Sequence, residues 1–142
     1  MAETPKPMHK DAPPKSFGVL KPVGHVVVGF PGAEDRDAAA GILLERGFGE
    51  DDLVPFEADE MHAQLAEQID GASGAAGFGY EIVLARHYLE LARDGHAWLV
   101  VRAGDDARSA VVAEVAGAHG AVLADRYGTL VVEQMLNPTQ AP

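Results

Sequence analysis

Apolar residues run almost without interruption through 25–30 (HVVVGF) and again through 97–102 (AWLVVR). Both runs are rich in β-branched or aromatic residues and have the length of strands. A strand with one wet face alternates apolar and polar side chains, so a continuous run predicts cover on both faces. Elsewhere the period is helical. Over 34–46 the apolar positions Ala38, Ala39, Ile42 and Leu43 share one face. Glu34, Asp35 and Asp37 occupy the first turn, where the helix dipole favours acids, and Gly47 is a natural stop. Positions 53–57 read as a short strand and 59–69 as a short helix. The four glycines of 70–79 read as a loop or hinge. The clearest helical pattern covers 80–93. There Arg86, Glu90 and Arg93 form a charged stripe beside two apolar ones, Tyr80, Leu84, Tyr88 and Leu91, and Ile82, Ala85, Leu89 and Ala92. A further helix begins at Asp105-Asp106 and reaches His119, with Ala107, Val111, Val115 and Ala118 expected inward. Gly120 stops it, 121–126 is a strand, and Tyr127-Gly128 turns the chain into a last strand over 129–134.

The first and last thirds echo each other. Gly24-His25 opens one unit and Gly95-His96 the other. Each then runs strand, break, acid-started helix, glycine, strand. Two such units make a ferredoxin-like β-α-β-β-α-β sandwich, with both helices on one face of the sheet. The expected fold is therefore α+β and ferredoxin-like, built from a duplicated β-α-β unit with a helical insertion between the copies. A small doubly wound parallel sheet is the rival. The expected divisions are a disordered tail over 1–20, a single domain over 21–136 and a disordered end over 137–142. Within the domain, 21–58 is the first unit, 59–94 the insertion, and 95–136 the second unit with the final strand.

Composition narrows the setting. Hydrophobic residues make up 47 % of the 142 positions, enough for a packed core. There is no cysteine, hence no disulfide, thiolate metal site or cysteine nucleophile. No signal-peptide pattern or membrane-length apolar run is visible, which points to the cytoplasm. All four lysines (Lys6, Lys10, Lys15, Lys21) lie in the proline-rich tail. From position 22 onward seven arginines stand against twenty acids. Such a surface repels nucleic acid and anionic membranes.

The stretches FGVLKPVGHVVVGFP (17–31), GHAWLVV (95–101) and RYGTLVVEQM (126–135) resemble sequences of an uncharacterised proteobacterial protein family. More distantly, the two β-α-β units resemble bacterial heat-induced or general-stress proteins of unknown biochemical function. The resemblance implies a stress-related setting and supplies no catalytic motif or site residue.

Candidate chemistry is sparse. Gly71, Gly74, Gly77 and Gly79 follow a helix, not a strand, and lack the Walker order and the G-x-G-x-x-G order. Pro31-Gly32 after the first strand resembles the strand-to-helix turn of amino-acid-binding ACT domains. The six histidines (His9, His25, His62, His87, His96, His119) form neither H-x-H nor H-E-x-x-H. If strands one and three are antiparallel neighbours, His25 and His96 lie at opposite ends of the pair and cannot share a metal. Ser16, Ser73 and Ser109 lie outside any nucleophile elbow. Asp51-Asp52, Asp59-Glu60 and Asp105-Asp106 fall at element starts and read as caps. No catalytic residue, metal site or cofactor is expected.

The favoured function is a non-enzymatic stress-related or regulatory protein acting through self-association as a dimer. One apolar stripe of 80–93 would cover the sheet and the other would meet the partner. The first alternative is an ACT-like small-molecule sensor, with Pro31, Gly32, Tyr80, His87, Tyr88 and Trp98 as ligand-binding positions. The second is a cofactor-free enzyme with a His or Tyr in a sheet–helix cavity.

Overall fold

The two apolar runs become neighbours at the centre of one sheet. The computed structural model describes residues 15–16, 19–20, 22–71, 80–129 and 131–136. In chain order the elements are β1 (Lys15–Ser16), β2 (Val19–Leu20), β3 (His25–Phe30), α1 (Ala33–Glu45), a 3₁₀ turn (Glu50–Asp52) and β4 (Leu53–Phe56). They continue with α2 (Ala58–Gly71), α3 (Tyr80–Arg93), β5 (Ala97–Arg102), α4 (Asp106–Ala118), β6 (Leu123–Tyr127) and β7 (Val132–Gln134). The main sheet has the order β4-β5-β3-β6-β7, and every adjacent pair is antiparallel. The protein is thus α+β, and the parallel doubly wound alternative is overturned. In β3–β5, His25 faces Arg102 and Phe30 faces Ala97, so His25 and His96 do lie at opposite ends of the pair.

Both faces of the sheet are covered, which is why β3 and β5 are apolar along nearly their whole length. Val26, Val28 and Phe30 of β3 with Leu99 and Val101 of β5 pack against Ala39 and Leu43 of α1 and Val112, Val115 and Ala116 of α4. On the other face Val27, Trp98, Val100 and Leu123 pack against Met61 and Leu65 of α2 and Ile82, Leu84, Ala85, Tyr88 and Leu89 of α3. Each such side chain contributes roughly 1.5–3 kcal/mol on full burial. Gly29, opposite Trp98 in the ladder, leaves little room for a side chain: a Cβ there would sit 3.0 Å from Trp98 Cζ3, so the indole would have to give.

Several expectations need correction. In α1, Ala38 is exposed and Arg36 is buried instead. The guanidinium donates to the Phe56 carbonyl at 3.0 Å and pairs with Glu57 at 2.8 Å, pinning α1 to the end of β4. In α4 the inward face is turned: Ser109, Val112, Val115 and Ala116 are buried, while Ala107 and Ala118 are exposed and Val111 is half-buried. Ser109 belongs inside because its hydroxyl donates to the Ala103 carbonyl at 3.1 Å. Asp105 caps the same helix by accepting from the Arg108 N–H at 2.7 Å.

Helix α3 is packed within the chain along most of its length. α3 packs on α2 and shares an apolar cluster with the main sheet, and Ile82, Leu84, Ala85, Tyr88, Leu89 and Ala92 are all buried. The described members of both apolar stripes are thus buried within the chain, except Leu91, which is half-buried. Among the described residues of 1–20, β1 pairs with β2, and β2 lies beside α2 and α3. Positions 1–14, the glycine loop 72–79 and the terminal 137–142 are outside the described residues. Among the described residues no helix is long and apolar enough to cross a membrane.

Candidate functional site beneath helix α3

Strand geometry forces an acid into the core. Successive side chains of β6 point to opposite faces, so Leu123, Asp125 and Tyr127 share the face beneath α3. Leu123 and Tyr127 belong to that apolar cluster, and Asp125 between them is only 2 % exposed. From α3 above, the Tyr88 hydroxyl donates to Asp125 Oδ2 at 2.7 Å and lies 3.0 Å from the Tyr127 hydroxyl. The Tyr88 ring leans on Trp98 with centroids 5.2 Å apart. Burial raises the Asp125 pKa, with the Tyr88 hydrogen bond and nearby His87 pulling the other way. Burial likewise pushes Tyr88 well above the usual phenol range, reinforced by Tyr127 and Asp125.

His25 joins this layer from β3. The β3–β6 register pairs Val26 with Arg126, and the Gly24 N–H donates to the Tyr127 carbonyl at 2.9 Å, so His25 stands beside Tyr127 on the same face. Its Nδ1 is 3.0 Å from the Val23 carbonyl. A carbonyl can only accept, so Nδ1 carries the proton and Nε2 of the neutral ring holds a lone pair. Burial lowers the His25 pKa and keeps the ring neutral; the nearby Arg102 charge acts the same way, against the hydrogen bond to Val23. Nε2 of His25 and Nε1 of Trp98 are both buried and without a hydrogen bond among the described residues. The first is an acceptor and the second a donor. Buried polar atoms are nearly always paired, so two orphans in one layer are a departure from the rule.

The second buried carboxylate makes the contrast. Asp52 accepts from the Gly49 N–H at 2.7 Å, from Arg102 Nε at 2.7 Å and from Arg108 at 3.2 Å. Burial alone would raise its pKa, but these partners hold it below the usual value. Arg108 in turn lies over the Phe48 ring at 4.1 Å. Asp52 is a neutralised structural pin, whereas Asp125 has no ion pair among the described residues.

Of the positions singled out in the sequence, Tyr88 and Trp98 converge here. His87 does not: it is exposed on the outer side of α3. Pro31 and Gly32 lie where α1 begins, in the layer on the opposite face of the sheet. The side chain of Tyr80 is outside the described residues. Asp125, Tyr127 and His25 complete the constellation. His25 carried a signal in its place at the start of the repeat; Asp125 and Tyr127 carried none. His96 and His119 bond the carbonyls of Leu91 and Val115 at 2.9 Å, closing helix ends. No group of three metal-ligating side chains occurs among the described residues.

Comparison with protein-family models, curated proteins and solved structures finds no match to the chain.

Proposed function

We propose that this is a cytoplasmic, non-enzymatic regulatory protein of ferredoxin-like architecture that binds a small molecule between its sheet and the α2–α3 pair. The architectural reading is supported by strand order. β3 and β4 flank β5, β5 and β6 flank β3, and each unit's helix packs on the same face. The α2–α3 pair then stands as an insertion that closes the second face. The observation that carries the binding reading is Asp125, a buried carboxyl that accepts from the Tyr88 phenol and has no ion pair among the described residues. Two unpaired polar atoms, His25 Nε2 and Trp98 Nε1, lie in the same layer. A purely structural core gains nothing from this arrangement, since an apolar residue at 125 would pack at lower cost. The stress-related setting implied by the resemblance is the physiological context of the proposal. A thermal-shift screen of uncharged, cationic and anionic metabolites tests it, because any ligand that prefers the folded state raises the melting temperature. A hit abolished by Asp125→Asn supports the assignment; hits unaffected by that change place binding elsewhere.

Self-association as a dimer is the second reading. It now rests on the sheet edge instead of α3. β4 is closed as an edge by Pro55, which has no N–H to offer. β7 has no such block, and Val131 before it is 69 % exposed. Light scattering at micromolar concentration tests it: twice the chain mass, reduced to one by Val131→Glu, supports pairing through β7, and a single-chain mass for the unmodified protein excludes it.

A further inference from the structure

We draw no further inference here: the strongest candidate, the free edge of strand β7 with the exposed Val131 beside it, is the surface on which the self-association reading already rests, and nothing among the described residues shows what else covers it.

Discussion

Tyr88→Phe removes a single oxygen and isolates the polar layer from its packing. The Phe ring can keep the place of the Tyr88 ring against Trp98, at 5.2 Å between centroids, so little apolar contact is lost. What disappears is the 2.7 Å hydrogen bond to Asp125 Oδ2 and the 3.0 Å contact with the Tyr127 hydroxyl. A hydrogen bond to a charged group is worth about 1.5–3 kcal/mol net, and one between neutral groups about 1 kcal/mol. Partial rescue by the Tyr127 hydroxyl turning toward Asp125 brings the expected loss near 2 kcal/mol at pH 7. For a domain of this size that is a fall of about 8 °C in melting temperature. Urea denaturation followed by circular dichroism measures it, with an unchanged m-value showing that neither state has altered in compactness. In an Asp125→Asn background the bond is neutral, and the same change should cost about 1 kcal/mol. A loss below about 0.5 kcal/mol in the unmodified background, or an equal loss in both, would refute the claim that Tyr88 and Asp125 act as a charged pair of partners.

Other consequences are equally direct. Asp125 has a folded-state pKa above the ordinary 3.8, so its proton contributes stability that is complete below about pH 4 and is lost as pH rises through the raised value. Asp125→Asn should therefore be more stable than the unmodified protein at pH 7, with the gap closing toward pH 4. A gap independent of pH, after allowing for Tyr88, His87, Tyr127 and His25 around it, contradicts this. His25 has the opposite sign: its pKa is depressed from 6.5, so its contribution is complete above that pH and is lost on acidification, an effect His25→Phe should remove from denaturation curves. Gly29→Ala brings a Cβ to 3.0 Å from Trp98 and should cost about 1–2 kcal/mol, overpacking outweighing the gain in chain stiffness. Combined with Trp98→Phe, the cost should be less than additive.

The sequence made the central strands and their shared burial legible because β3 and β5 are apolar or glycine at every position except His25 and Arg102. Helix α3 was legible end to end from its charged stripe of Arg86, Glu90 and Arg93, all exposed. Gly47 and Gly120 marked the ends of α1 and α4 correctly, and both take positive φ there (102° and 78°). The inward faces of α1 and α4 were harder to read. Alanine-rich helices carry weak periodicity, and Arg36 and Ser109 go inside only because carbonyls of Phe56 and Ala103 await them. The burial of residues from both α3 stripes depended on α2 packing beside it, which no local pattern reveals. The site was half visible. Tyr88 and Trp98 stand out as large aromatics on buried elements. Asp125 reads as a polar strand end in LADRY, and its burial follows from a helix contributed from 37 positions earlier in the chain. Tyr127 reads as a turn residue, yet it ends β6 inside the layer.

The most direct measurement follows the indole N–H of Trp98, the chain's single tryptophan, by proton–nitrogen correlation NMR during titration with the tightest binder from the metabolite screen. Binding in the layer beneath α3 should move that resonance in proportion to occupancy in the unmodified protein and leave it in place in Asp125→Asn. A saturating ligand that leaves the Trp98 signal unmoved would contradict a binding site between the sheet and α3.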